Sequence, residues 1–252
     1  MDSPLLNHPV ILALLSSLVL YGAARLGARL SQLQRLTPKD LEQFNLVLGA
    51  TLTLLGLIIG FAFSMAVGRY DQRKNYEEEE ANAIGTEYVR AQLLPAPDAD
   101  KVQPLLKQYL AQRILFYEVR DENRLDKINS DTAQLQNEMW SMVAAAAKSQ
   151  PSPVAALTVA GMNDVLNRQG YTQAAWWNRI PKAAWGLMGA IAICCSVLIG
   201  MPVGEVKTRV PLLVLPIVLA IAFMLLADLD SPRGGIIRVH PQNLHSLQDS
   251  LK

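Results

Sequence analysis

A long uncharged run is the feature that most constrains how this chain folds. It covers residues 44–68 and contains no Asp, Glu, Lys, Arg or His. About 25 residues, each rising roughly 1.5 Å along a helix, are enough to cross the apolar core of a bilayer. Helix-forming residues continue beyond the run, and no helix breaker follows before Pro95. The run therefore predicts one long helix that spans a membrane and continues into water.

Three more uncharged apolar blocks indicate a membrane protein with four spans. Apolar residues make up 51% of the 252-residue chain, and they are concentrated in these blocks. The four predicted spans are residues 9–24, 44–68, 183–203 and 210–227. Positive charge follows the first block at Arg25 and Arg29 instead of preceding it. A signal peptide has the opposite order, so we interpret the first block as a retained span.

The blocks divide the chain into two predicted hairpins with a soluble region between them. We predict a transmembrane hairpin at 1–68, a helical region at 69–181, a second hairpin at 182–228 and a tail at 229–252. The soluble region has apolar residues at helical spacing over about 100–121, 132–148 and 154–167, and no strand-like alternation. The fold class is therefore an all-α membrane protein with a helical region inserted between spans two and three. The basic residues flanking the spans divide almost evenly between the two sides, which leaves the orientation open.

Motifs for catalysis, metal binding and cofactor binding are missing from the sequence. The three histidines, His8, His240 and His245, stand near the two ends without ligands at metal-binding spacing. There is no phosphate-binding glycine loop and no GxSxG motif. The formal net charge of +1 gives no reason to expect nucleic-acid binding. We expect neither an enzyme nor a cofactor, and the uncharged spans argue against a secondary transporter.

The second span carries a pattern that is typical of a pore lining. Thr53, Leu57 and Phe61 recur every four residues, and Ser64 extends the same helical face. Gly56 and Gly60 form a GxxxG motif on an adjacent face, where another helix can approach closely. We interpret the first four residues as pore-lining and the two glycines as helix-packing residues. The alternative is that a span apolar on every side contains such a stripe by chance.

An acidic segment follows the second span. Continuing the same helical face beyond residue 68 leads to Asp71 and then to Glu78 or Glu79. Repeated around an axis, these carboxylates would form a negative ring of the kind that cation pores use. We predict that Asp71, Glu78 and Glu79 contribute to ion selectivity. The alternative is that Glu77, Glu78, Glu79 and Glu80 form an ordinary solvated helix face.

Two segments and the order of the spans resemble bestrophins. GFAFSMAVGRYDQRK at residues 60–74 resembles the second-span signature, and LDSPRGG at 229–235 is similar to the segment after the last span. GRYDQRKNYEEEEANAIGTEYVRAQLLP and ADLDSPRGGIIRVHPQNL are similar to the bacterial bestrophin-like proteins of unknown function. The chain departs from bestrophins in lacking the acidic calcium-binding run after the fourth span and in having a polar Thr53.

The resemblance implies a pentamer in the bacterial inner membrane. Both termini and the soluble region would then be cytoplasmic, and the pore would be lined by Thr53, Leu57 and Phe61. The partners would be the lipid bilayer, further copies of the chain and small inorganic ions. We therefore predict an oligomeric ion channel with a preference for cations. The alternative is a non-conducting membrane anchor or sensor whose helical cytoplasmic region binds another protein.

Overall fold

The computed structural model describes residues 8–33, 38–201 and 211–252, and these residues form helices without any β-strand. The α-helices are α1 (Pro9–Leu33), α2 (Pro38–Arg90), α3 (Ala96–Glu118), α4 (Glu122–Ser149), α5 (Pro153–Trp177), α6 (Lys182–Gly200), α7 (Pro211–Asp230) and α8 (Gln242–Ser250). A short 3₁₀ turn, Ala91–Leu93, follows α2. The predicted all-helical fold is confirmed for the part of the chain that is described.

Four helical segments are long and apolar enough to cross a membrane. They are Pro9–Ser31, Glu42–Leu93, Pro153–Gly200 and Leu212–Asp230. The first two contain the predicted blocks 9–24 and 44–68, and the last two overlap the predicted blocks 183–203 and 210–227. Helix α2 has 53 residues, so the apolar block at 44–68 continues into polar sequence without a break. Residues 34–37 and 202–210 lie outside the described residues. They include Thr37, which the sequence Thr37-Pro38 predicts as a helix N-cap.

The helices group into two compact units. The first unit combines the chain up to Arg69 with Arg179–Arg238, and the second combines Tyr70–Asn178 with Val239–Lys252. Helix α2 contributes its apolar part to the first unit and its polar part to the second. The tail predicted at 229–252 is thus divided, because its last helix, α8, packs on α3 of the second unit.

In the first unit, α1 packs against both α6 and α7. Two glycines allow the closest approach. A Cβ on Gly27 would lie 2.0 Å from the Val197 carbonyl oxygen, and one on Gly200 would lie 2.0 Å from that of Ala24. Only glycine fits at such backbone-to-backbone contacts. These two positions, one on α1 and one on α6, fix how the two helices cross.

The second unit has a conventional apolar core between α3, α4 and α5. Its centre contains Tyr109, Phe116, Met139, Met162 and Val165, all inaccessible to solvent. Capping sets the helix starts, since the Asp121 carboxylate accepts from the Asn123 N–H at 3.3 Å and the Ser152 hydroxyl accepts from the Ala155 N–H at 3.0 Å.

Two expectations about helix ends in this region were wrong. Helix α4 begins about ten residues before the expected 132, because Asp121 supplies a cap that apolar spacing does not reveal. Helix α5 continues through Gly170 to Trp177. A glycine within a helix costs only about 1 kcal/mol relative to alanine, and burial of Trp176 against Phe116, with ring centroids 4.9 Å apart, offsets it.

Candidate ion pathway and buried charges of the second helix

Helix α2 has one buried side between Leu55 and Glu87. Leu55, Ala62 and Ala66 are buried in the first unit, and Arg73, Glu77, Glu80, Ile84 and Glu87 are buried in the second. These positions follow each other at three, four or seven residues, the spacing of one helical face. The residues on the opposite face are exposed in the described part of the chain.

The predicted pore-lining residues lie on that exposed face. Thr53, Leu57, Phe61 and Ser64 are all exposed, and Leu57 and Phe61 have 55% and 62% of their surface accessible. The Thr53 hydroxyl donates to the Gly49 carbonyl oxygen at 2.9 Å, which satisfies its donor within the helix. The four side chains share one exposed strip that is open to lipid, to another subunit or to a pore.

The predicted packing glycines are not in close contact with another helix among the described residues. A Cβ on Gly56 or Gly60 would meet nothing within 4 Å. Close helix approach inside the chain occurs at Gly27 and Gly200 instead, and no sequence motif had indicated these two. Gly56 and Gly60 are open to a helix from another molecule, and their packing role stays a prediction.

The three predicted selectivity residues differ in their surroundings. Asp71 and Glu78 are exposed. Glu79 is half-buried and forms an ion pair with Arg168 of α5, which also bonds the Asp164 carboxylate at 3.2 Å. Part of the Glu79 charge is thereby neutralised within the second unit, whereas Asp71 and Glu78 present theirs to solvent.

The interpretation of Glu77 and Glu80 as part of a solvated face was wrong. Both side chains are buried. Glu80 forms an ion pair with the fully buried Arg113 and accepts from the Tyr117 hydroxyl at 3.3 Å and the Thr172 hydroxyl at 3.2 Å. Burial and the neighbouring Glu80 charge raise the pKa of the Tyr117 hydroxyl well above its usual value.

Glu77 anchors the last helix of the second unit. Its carboxylate accepts from the Leu244 N–H at 2.9 Å and from the Asn243 side-chain amide at 2.6 Å. Both residues lie in the first turn of α8, where a carboxylate satisfies otherwise unpaired N–H groups and interacts favourably with the helix dipole. The side chain therefore holds α8 against α2.

Arg73 interacts with the C-terminal end of a helix, α5. It is buried, and its guanidinium donates to the Ala175 carbonyl oxygen at 3.3 Å and to that of Asn178 at 3.5 Å. These carbonyls are at the C-terminal end of α5, where a cation is favourable.

Two buried carboxylates organise the segment after α7 in the first unit. Asp228 accepts from the Ile236 N–H at 2.6 Å and the Ile237 N–H at 3.0 Å. Asp230 accepts from the Ile180 N–H at 2.9 Å and from the Arg69 guanidinium at 3.3 Å. Arg69 and Asp230 come from the two segments that carried the resemblance, and the structure joins them in one ion pair.

Metal coordination finds no support in the described ranges. No three His, Cys, Asp or Glu side chains there are close enough to hold an ion. The acidic residues described above accept hydrogen bonds or face solvent separately.

The comparisons with known proteins agree on one family. A bestrophin-like domain model matches residues 10–244, and no curated protein matches. One variant of the bacterial bestrophin homologue from Klebsiella pneumoniae is 12% identical, with a TM-score of 0.66 over 95% of this chain and 93% of that one. A second variant is 13% identical, with a TM-score of 0.66 over 94% and 96%. The fold is thus shared at very low identity, and the family model covers nearly the whole sequence: the chain belongs to the bestrophin-like family.

Proposed function

We propose that this chain is an ion channel that assembles as a ring in the bacterial inner membrane. Known members of the family are ion channels. The observation that carries the proposal is the two-sidedness of α2. Its buried side holds Leu55, Ala62 and Ala66, while the opposite side exposes Thr53, Leu57, Phe61 and Ser64. In a ring of subunits with α2 nearest the axis, that exposed strip would line the pore.

The chemistry of the strip fits a narrow apolar neck. Leu57 and Phe61 would form successive apolar rings, which hold back ions by excluding water. Asp71 and Glu78 would follow at the cytoplasmic mouth, where rings of carboxylates concentrate cations. The proposal thus includes a cation preference, a pentamer, and both termini in the cytoplasm, the last two following from the bestrophin resemblance.

A flux assay with the purified protein in liposomes tests this function. We expect potassium efflux from protein-containing liposomes at a rate above that of empty ones, together with a detergent-solubilised mass of about five chains. Protein that inserts fully, yet leaves the efflux rate unchanged, would refute conduction. A monomer or dimer in several detergents would refute the ring.

The second candidate is a non-conducting anchor or sensor that binds another protein. One surface of the second unit favours it. An apolar cavity of about 520 Å³ is lined by Trp140 of α4, by Pro151 in the connection before α5, and by Ala155 and Val159 of α5. The nearby Leu157 is half-exposed. Exposed apolar surface of this kind often marks a protein contact. If the wild type conducts ions and Trp140→Ser leaves the ion flux unchanged, this surface has a role separate from conduction.

A further inference from the structure

A polar cavity lies between α2 and α5 within the second unit. Its volume is about 390 Å³, and its polar walls are formed by Glu79, Asn82, Thr86, Arg90, Asp164 and Arg168. The residues from α2 are spaced three or four apart and so belong to one helical face. A space of this size accommodates a small organic molecule.

The cavity is lined by two acidic and two basic side chains, and of the two arginines Arg168 is the one in ion pairs. Arg168 engages both Glu79 and Asp164 at one end. The backbone of Arg90 lies eleven residues beyond that of Glu79 on α2, a rise of about 16 Å, and its guanidinium reaches Gly161 of α5. Within the described part of the chain, no carboxylate is close enough to Arg90 to form an ion pair. The Arg90 end of the cavity therefore has a guanidinium with donors to spare.

A buried carboxyl lies beside that guanidinium. Glu87 is inaccessible to solvent, and neither of its oxygens has a hydrogen-bond partner among the described residues. A Cβ on Gly161 would lie 2.0 Å from the Glu87 Oε2 and 2.7 Å from the Arg90 Nη1. Both groups therefore meet at one point on α5, at the wall of the cavity, and a larger residue at position 161 would displace them.

The ionisation state of Glu87 determines whether a negative charge lies beside the Arg90 guanidinium. Burial raises the pKa of Glu87 from 4.5 to about 8, and Arg90 lowers it by a smaller amount. The other charged groups at this cavity are Glu79 on the same helix and Asp164 and Arg168 on α5. At neutral pH the carboxyl is therefore mostly protonated, which removes the negative charge nearest to the Arg90 guanidinium.

We propose that this cavity binds a small organic monocarboxylate through Arg90, in competition with the ionised form of Glu87. An arginine fork matches a carboxylate with two parallel hydrogen bonds. The body of the ligand would lie along Ala83, with the Asn82 amide and the Thr86 hydroxyl as further partners. Nothing in this inference depends on whether the chain conducts ions.

Titration calorimetry with sodium acetate tests the proposal on the full chain in detergent. We expect one acetate per chain at pH 7. Binding should weaken about tenfold at pH 9, because the protonated fraction of a group with a pKa near 8 falls by about that factor. Glu87→Gln should bind acetate equally at both pH values. Arg90→Gln should abolish binding, and Arg90→Lys should weaken it, since lysine keeps the charge but loses the fork.

Two glycine variants form a matched pair that removes no polar group. Gly161→Ala should displace Glu87 and Arg90 and so weaken acetate binding at least tenfold. Gly170→Ala on the same helix should leave binding unchanged, because a Cβ there would meet nothing within 4 Å. Size-exclusion profiles and unfolding temperatures show which variants are folded, and only these are compared.

Three results would overturn the inference. The first is that the wild type does not bind acetate. The second is that Gly161→Ala and a folded Arg90 variant both bind acetate as the wild type does. The third is that inorganic phosphate binds as tightly as acetate. The last would mean a general anion site and not a carboxylate site. Unchanged pH dependence in Glu87→Gln would remove Glu87 from the site.

Discussion

At the scale of single residues, Glu78 and Glu80 show how strongly burial separates neighbours of the same type. Glu78 is exposed, whereas Glu80 is buried in an ion pair with Arg113. Removing one partner of a buried pair leaves an uncompensated charge and typically costs about 3–5 kcal/mol. An exposed charge away from such contacts contributes within about 0.5 kcal/mol.

We therefore expect Glu80→Gln to lower the free energy of unfolding by several kcal/mol and Glu78→Gln to leave it nearly unchanged. Denaturant unfolding in detergent, followed by the near-ultraviolet signal of the buried Trp176, measures both. Equal stability of the two variants would contradict the structural role of Glu80.

Phe61 and Phe63 form a second informative pair, because both are exposed but lie on different sides of α2. If Phe61 narrows a pore, Phe61→Ala should raise ion flux several-fold by widening an apolar constriction. Phe63→Ala removes the same volume from a face about 200° away, at about 100° per residue, and should not change flux. Efflux from liposomes at matched protein content measures both, and equal effects would place the pore elsewhere.

For single side chains of α2, the sequence predicted exposure or burial only where all residues of a helical face are of similar type. The strip from Thr53 to Ser64 is visible because an uncharged span leaves few polar positions to choose from. Glu77 and Glu80 could not be told from Glu78 and Glu79, because four consecutive acids occupy every side of the helix. Ala62, Ala66, Arg73, Glu77 and Glu80 follow each other at helical spacing, and this spacing marks the buried side of α2.

At the scale of helices, substitutions at two sets of glycines should have different effects: one on the stability of the single chain, the other on assembly. Gly27→Ala would place a Cβ 2.0 Å from the Val197 carbonyl oxygen, and the backbone cannot yield there as a side chain would. We expect it to lower the unfolding temperature of the chain itself. The Gly56→Leu, Gly60→Leu double variant should instead keep the unfolding of the single chain and reduce the mass of the assembly.

Light scattering in detergent and thermal unfolding distinguish the two effects. Gly22→Leu is the control, since its position on α1 has nothing within 4 Å of a Cβ. A wild-type mass for the double variant would remove the packing role of Gly56 and Gly60.

Helix existence was predictable where apolar runs are long, as in α2 and α7. Helix ends were not, because they depend on single contacts. Asp121 starts α4 through one hydrogen bond, and Trp176 extends α5 through burial in a core whose other residues come from α3 and α4. Such partners are distant in sequence.

At the scale of the whole molecule, the prediction concerns ion choice. If Asp71 and Glu78 ring the mouth of an assembled pore, their charges add across the subunits. In a potassium chloride gradient, we expect the reversal potential to be shifted from zero towards the equilibrium potential of potassium. Asp71→Asn combined with Glu78→Gln should move it towards zero, and the move should be smaller at high salt, where the Debye length shortens to about 3 Å at 1 M.

Asp126→Asn is the control, because this exposed acid lies on α4 and not on the exposed face of α2. A chloride-selective wild type would contradict the acidic ring outright. An unchanged reversal potential in the double variant would show that ion choice is made elsewhere.

The anchoring of α8 by Glu77 has a consequence for biogenesis. The Leu244 N–H that Glu77 accepts from lies 167 residues further along the chain, so it leaves the ribosome only after α6 and α7 have been made. Until then a carboxylate destined for a buried position has no partner, and the second unit cannot reach its final packing. Chains that stop before α8 would keep this surface open, and proteases preferentially remove such incompletely folded molecules. Packing of the second unit around Glu77 would thus require synthesis of the chain as far as α8, including α6 and α7.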